Sequence, residues 1–474
     1  MATSRTVESQ TELTFKQRFG LVAGPVLLLV LWFLPTQQTP AAQHAIAIAA
    51  LMIVFWATEA MDHALAGFIG MFLFWALGVA EFDHAFSGFS NETTWFLLGA
   101  VLIGAMASKS GMAQRMASTM VTRIGTSFSR LLLAFIVVDF LMTFLVPSGI
   151  ARVTILGAIA VGTVQALGFG NRSNVGKGLL IIVTYTAAIF DKMIIAGATS
   201  ILARGIIEQA GKVRVLYSEW FIAYLPCTIL TILICWRIIL WLYPPEKKEL
   251  AAEDRTFLEQ QSQRLGAWSS AEKRCAVLTG LAVVLWMTDF IHHLNPSMIG
   301  LMVGLLAIIP GIGILNADDL RKLNFNAIWF TAAALSMSRV LTDTKGLEIL
   351  TGRMIDWMGP LESGPVMSSV VLYWTAFVYH FFLANETAML GTSLPFVLQH
   401  FQSLGFHPLP IGLIWTFASG GKIFVYQSAV LIAGYSYGYF ESKDLLKVGF
   451  ILTVVESAIL VLLVRFYWPL LGIS

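Results

Sequence analysis

The sequence predicts an all-α polytopic membrane protein, with about 11 transmembrane helices and two re-entrant helical hairpins arranged as two inverted repeats. Three observations carry this expectation. The 474 residues are 57% hydrophobic and 12% charged, with a mean hydropathy of +0.76, which is too apolar for a water-soluble globule. Apolar runs long enough to cross roughly 30 Å of hydrocarbon recur along nearly the whole chain. Two of these runs are interrupted in the same way, by FLVPSGIARVTILG at 144–157 and by FLANETAMLGT at 382–392. Irregular backbone at that depth needs partners, because each unpaired amide or carbonyl in hydrocarbon costs several kcal/mol.

Taken in order, the first apolar run is 20–35. Arg5, Lys16 and Arg18 precede it together with Glu8 and Glu12, and no small-residue cleavage site follows, so it reads as a retained helix rather than a cleaved leader. Crossings follow at 41–60, 65–80 and 94–108, then the broken pair 130–167. The run 178–208 is interrupted around Gly197, Ala198, Thr199 and Ser200, and 219–243 closes the first half. Residues 244–274, with PPEKKELAAEDR and many Gln and Ser, read as a linker in water. The second half gives 275–292, 298–315 and 327–341, the broken pair 366–400, then 410–435 with an unwound spot at Tyr426-Gln427-Ser428, and 445–469. Trp220, Trp236, Trp241, Tyr243, Tyr467 and Trp468 lie near run ends and fit an interfacial belt.

The halves repeat. FWATEA at 55–60 matches LWMTDF at 285–290, aligning Trp56 with Trp286, Thr58 with Thr288 and Glu59 with Asp289. Trp95-Phe96 matches Trp329-Phe330, Lys109-Ser110-Gly111-Met112 matches Thr344-Lys345-Gly346-Leu347, and Ser148 falls opposite Ala384. The offsets of 230, 234, 235 and 236 drift slowly, as a duplication would. If each broken pair returns to its own side, each half makes an odd number of crossings and the second half is inverted. Lys and Arg follow this count: Arg115, Arg123, Arg172, Lys177, Lys247, Lys248, Lys273, Arg274, Arg321, Lys322, Lys443 and Lys447 fall on one side, against Lys212, Arg214, Lys345 and Arg353 on the other. The expectation is a multi-pass protein of an inner or plasma membrane, with its N-terminus cytoplasmic and its C-terminus outside.

Hairpins entering from opposite faces would bring Ser148 and Gly149 to Asn385, Glu386 and Thr387 near the midplane. Gly197, Thr199 and Ser200 would lie beside them, with Ser428 from the second unwound spot. Helix N-termini at such tips offer N–H groups to an anion, and freed carbonyls can hold a cation. Ionisable residues inside apolar runs cost about 2.5 to 3.5 kcal/mol each on insertion scales, so each needs a reason. Arg152 follows the first break by one turn and either meets a solute carboxylate or pairs with Asp139 or Glu386. Asp191 and Lys192 adjoin, and Lys422 precedes the second unwound spot as a candidate anion contact. Glu386, at a hairpin tip, is the candidate proton carrier or cation ligand. Cys227, Cys235 and Cys275 are scattered, and His44, His63, His84, His292, His293, His400 and His407 lack metal spacing; both sets read as structural. A net charge of +2 gives no sign of a nucleic-acid partner, and no catalytic or cofactor motif stands out.

FWATEAMDHALAGFIG near Trp56, the Pro147-Ser148 break and GYFESKDLLKVGF at 438–450, followed by Tyr467-Trp468-Pro469-Leu470, resemble the divalent anion/sodium symporter family, which includes dicarboxylate and citrate carriers. The resemblance implies a homodimer in which a scaffold (1–128 and 275–362) holds a moving transport domain (129–243 and 363–474), with 244–274 as the linker. It also implies serine, asparagine and threonine triplets at the tips that hold sodium and substrate carboxylates. Here the first triplet reads Ser148-Gly149-Ile150, and the second Ala384-Asn385-Glu386 with Thr387 next. The reading is a secondary transporter of a small organic anion, a di- or tricarboxylate, that uses Na+ or H+ or works by exchange. The alternative keeps the fold, couples a proton through Glu386 and carries sulfate, a zwitterion or another solute.

Overall fold

The computed structural model describes residues 13–116, 119, 127–146, 148–195, 197–246, 266–354, 364–382, 386–420 and 422–473. Its regular elements are helices. In the first half these are α1 (Phe15–Phe33), α2 (Pro40–Thr58), α3 (His63–Ala76), α4 (Glu92–Ser110), α5 (Phe128–Leu145), α6 (Gly149–Ala166), α7 (Asn174–Met193), α8 (Ala198–Gly211) and α9 (Tyr217–Leu242). The second half holds α10 (Ser270–Met287), α11 (Pro296–Leu306), α12 (Asn326–Asp343), α13 (Gly346–Met354), α14 (Pro365–Phe382), α15 (Glu386–Ser403), α16 (Pro408–Ala418), α17 (Ala429–Tyr435) and α18 (Ser442–Leu462).

Local chemistry sets the helix ends. Thr39 caps α2 with Pro40 behind it, Asp62 accepts from Ala64 N and Leu65 N to start α3, and Ser269 and Glu272 form a reciprocal capping box on α10. That box begins α10 inside the expected linker, so Lys273 and Arg274 belong to a helix. Among the described residues, eight segments are long and apolar enough to cross a membrane, while His63–Ala76, Pro296–Leu306 and Pro408–Ala418 are shorter. Length and apolarity alone, among the described residues, thus do not reach the expected count of about 11 crossings. After α11 the chain turns, with Leu315 N returning 2.9 Å from Ala307 O.

The interior is organised around α7, which is buried along almost its whole length, whereas α1 buries only Gly20 and Gly24. Helix contacts come in matched pairs, the first two of them exchanged between the halves. Helix α4 packs on α11 as α3 packs on α12, α8 on α15 as α17 on α6, and α5 on α7 as α14 on α16. The side chains agree: Trp56 Nε1 donates to His63 O at 3.0 Å, and Trp286 Nε1 donates to Pro296 O at 3.1 Å. Trp56 meets the ring of Phe330 at 4.9 Å between centroids, and its counterpart Trp286 meets Phe96 at 6.0 Å. Glu59 and Asp289 diverge, since Glu59 pairs with Lys16 near the surface while buried Asp289 accepts from Tyr217 N and the Ser218 hydroxyl. Where α4 crosses α11 the backbones touch: a methyl added at Gly99 would overlap the main chain of Gly300, and one at Gly304 that of Gly99. Trp220 and Trp468 depart from the expected interfacial belt. Both are buried and donate to the carbonyls of Lys192 and Ala223, because an indole N–H inside a bundle needs a partner.

Candidate functional site: helix starts around one cavity

Helix α5 ends at Leu145 and α6 begins at Gly149, with the Ser148 hydroxyl accepting from Ala151 N at 3.3 Å. In the second half α14 is given to Phe382 and α15 from Glu386; Leu383, Ala384 and Asn385, where the second break is expected, lie outside the described residues, as does Pro147. In the run 178–208, α7 ends at Met193 and α8 begins at Ala198, so Ser200 is inside α8. The unwound spot near Tyr426 is wider than expected. The described residues between Ala418 and Ala429 are outside the α-helices, with one 3-10 turn at Val425–Gln427, and they include Lys422.

This irregular backbone is satisfied from the side, as a low-dielectric interior demands. Gln427 Oε1 accepts from Ile423 N at 3.1 Å and Phe424 N at 3.0 Å. The Tyr185 hydroxyl lies 2.6 Å from Lys422 O, and His380 Nε2 lies 3.0 Å from Gln427 O.

Helices α6, α8, α15 and α17 all start at one cavity of about 620 Å³, which Gly149, Ala198, Glu386 and Ala429 line. Ser148, Thr199, Thr387 and Ser428 add hydroxyls to the same wall. Each helix start carries the positive end of its dipole and N–H groups without intrahelical partners, so this wall favours an anion. The facing wall comes from α3, α4 and the start of α12, with Asp62, His63, Asn324, Asn326 and Phe330. Asn326 Nδ2 donates to Asp62 Oδ2 at 2.8 Å across the repeat boundary.

Charge sits just behind the hydroxyl wall. Arg152 does not reach the cavity. Its guanidinium is fully buried, with Nε donating to Asp139 Oδ1 at 2.9 Å, Nη1 to Asp191 Oδ1 at 3.3 Å and Val146 O at 3.1 Å, and Nη2 to Ala187 O at 2.8 Å. With its donors held internally, the expected contact with a solute carboxylate gives way to the internal pair. Lys422 is likewise withdrawn: Nζ lies 2.6 Å from Glu456 Oε2, because a buried ammonium needs a carboxylate. Ser200 lies behind the wall too, its hydroxyl donating to Asp191 O at 2.8 Å, and Gly197 abuts the Asp191 carboxylate. Glu386 lines the cavity and is paired with Lys192. Among the described residues the cavity wall thus carries Asp62, Asp191 and Glu386 but no Lys or Arg, and Arg152 and Lys192 compensate two of these carboxylates from behind.

Sequence reasoning had passed over Asn324, Asn326 and Glu456. Asn326 opens α12 and Asn324 Oδ1 accepts its N–H at 2.9 Å, and only the tertiary fold brings both to the cavity. Glu456 carried a usable signal, an ionisable residue in the middle of the run 445–469.

Apolar helices broken toward a shared polar cavity define a membrane carrier rather than a soluble binding protein. The chain belongs to the family described as the sodium:sulfate symporter transmembrane region, whose model matches residues 16–474. Membership in this family makes it a transporter and not an enzyme. It is 25% identical over 480 residues to a protein of Cupriavidus necator described as a membrane protein, covering 96% of this chain and 93% of that one. It is 24% identical over 484 residues to the L-tartrate/succinate antiporter of Shigella dysenteriae, covering 98% and 93%. In fold it is similar to the Alcanivorax borkumensis YdaH transporter, with a TM-score of 0.53, 14% identity and coverage of 96% and 100%. Neisseria gonorrhoeae MtrF, from a class of antimetabolite efflux pumps, aligns with a TM-score of 0.56, 12% identity and coverage of 93% and 97%.

Proposed function

We propose that the protein is a secondary active transporter of a small organic anion, a di- or tricarboxylate, working by cation-coupled symport or by exchange. The observation that carries this reading is the convergence of four helix starts and four hydroxyl side chains on one cavity large enough for such a solute. The relatives named L-tartrate/succinate antiporters support the substrate class and favour exchange. Ser148, Gly149, Thr199, Thr387 and Ser428 bind the solute with Asn385, while Arg152 and Lys192 fix the charge of the wall from behind. The two hairpins are re-entrant, and the block 129–243 with 363–474 moves as an elevator against the scaffold of 1–128 and 275–362, carried in a homodimer. The swapped helix contacts support this division.

Counterflow tests the reading. Proteoliposomes loaded with succinate should accumulate labelled succinate or L-tartrate from outside, with or without sodium for an exchanger and only with sodium present on both sides for a sodium symporter. Asn385→Ala and Thr387→Ala should abolish this without loss of folded protein. No counterflow with either dicarboxylate refutes the substrate class. A second reading couples a proton through Glu386, favoured by its place between the cavity and Lys192.

A further inference from the structure

Behind the cavity, two buried ion pairs share one small void. It measures about 10 Å³ and is lined by Lys192, Glu386, Lys422 and Glu456, with Gly420 and the Phe417 ring closing it. That is room for one water molecule, which needs two or more polar partners to be held there. Glu456 lies on α18 and is fully buried. Its Oε2 holds Lys422 Nζ at 2.6 Å and faces the Tyr373 hydroxyl at 3.2 Å, while Oε1 has no hydrogen-bond partner among the described residues. Glu386 touches both compartments, lining the void on one side and the cavity on the other.

We propose that Glu456 is an internal proton-binding site, reached from the solute cavity through Glu386 and one water in this void, and loaded together with the bound anion. The inference rests on the carrier reading above and specifies its coupling ion. With both carboxylates ionised, two lysines and two glutamates balance, and the cluster is neutral. A dianion arriving at the helix starts repels both carboxylates and attracts both ammonium groups, and screening in the low-dielectric interior is weak. A proton then moves from water at the open cavity to Glu386, across the void, and onto the lone pair of Glu456 Oε1. The cluster gains one positive charge that the dianion offsets, and the proton leaves by the same route when the cavity faces the other side. Because linkage is reciprocal, acid pH tightens anion binding by as much as the anion tightens the proton.

The groups facing Glu456 permit this assignment. Lys422 comes from the irregular segment, Tyr373 from α14, Lys192 and Tyr185 from α7, Cys227 and Cys235 from α9, and Glu386 from α15. Among these the second acidic oxygen pair belongs to Glu386, which makes it the exchange partner for the proton.

Titration calorimetry of the purified protein with succinate, at a pH where succinate is fully ionised and in buffers of different ionisation enthalpy, counts protons taken up per anion bound. The wild type should take up about one. Glu456→Gln should still bind succinate with proton uptake reduced to near zero. Since that variant leaves Lys422 buried and unpaired, Lys422→Met combined with Glu456→Gln provides a neutral pair in its place and should behave alike. Uptake by either variant equal to the wild type, or none by the wild type, overturns the proton site and leaves the carrier reading standing. Binding of neither succinate nor L-tartrate overturns the dicarboxylate reading, and the proton site proposed with it.

Discussion

Arg152→Met removes a guanidinium enclosed by α5, α6 and α7 while keeping most of the side chain's length and apolar bulk. The change strips the buried Asp139 carboxylate of its guanidinium partner. It also strips donors from the carbonyls of Val146 and Ala187. Removing one partner of a buried pair costs about 3 to 5 kcal/mol, whereas the Val146 carbonyl keeps the Ser148 N–H as a donor at 2.7 Å and adds little. The loss therefore exceeds roughly 3 kcal/mol, enough to lower the apparent melting temperature in detergent by several degrees. Asp139→Leu combined with Arg152→Met removes the stranded charge and should recover part of this, with a coupling energy of about 0.5 to 3 kcal/mol. Thermal unfolding of the wild type, both single variants and the double variant, at matched heating rate, reads the cycle. Wild-type melting with abolished anion binding in Arg152→Met would return the guanidinium to the solute and refute the internal-pair argument, as would strict additivity of the two changes.

Gly149→Ala places a methyl 2.8 Å from Val430 Cγ2 and 3.0 Å from the backbone oxygen of Ala187, so α6 must shift against α7 and α17. Overpacking of this kind costs about 1 to 3 kcal/mol, and dicarboxylate uptake should fall sharply; uptake with an unchanged KM would sink the claim that this contact shapes the cavity. Trp56→Phe and Trp286→Phe each delete one indole hydrogen bond at matched places in the repeats and should destabilise by similar amounts, about 0.5 to 1.5 kcal/mol each beyond lost area. Melting that responds to one and not the other would break the equivalence of the two sites. The Lys109 ammonium beside Asp319 holds that carboxyl below the usual carboxylate range. The contribution of the pair is present above the unfolded carboxylate's pKa of about 3.9 and is lost as pH falls through the lower folded value. Asp319→Asn should thus lower the melting temperature slightly at neutral pH, with the gap closing in acid; a gap that widens as pH falls contradicts the assignment.

Much of the helical layout was legible because the membrane forces it. Apolar runs, the break before Gly149 with Ser148 as its cap, and the Trp56 and Trp286 pairing all follow from residues near in sequence. Hydropathy misjudged the helix at 298–315 because the turn after Leu306 is as apolar as the helix before it, and a moving average cannot see a hydrogen bond from Leu315 back to Ala307. Lys422 was placed within a helix for a related reason: the run from Pro408 to Tyr435 stays apolar, yet Tyr185 and Gln427 supply partners that let the described residues between Ala418 and Ala429 unwind. The site was half legible. Hydroxyl residues at helix breaks announce themselves, and Asp139 was already one of the partners expected for Arg152, whereas the pairing of Arg152 with Asp191, or of Lys192 with Glu386, depends on which helices meet.

The glycine crossing of α4 and α11 has a mechanical meaning. Where main chain rests on main chain, no rotamer can swing aside and no side chain can re-pack, so the contact tolerates almost no sliding. Such a seam behaves as a keel joining the first half of the chain to the second. Whatever displacement carries a solute across must pass beside it, along surfaces padded with larger and more adjustable groups.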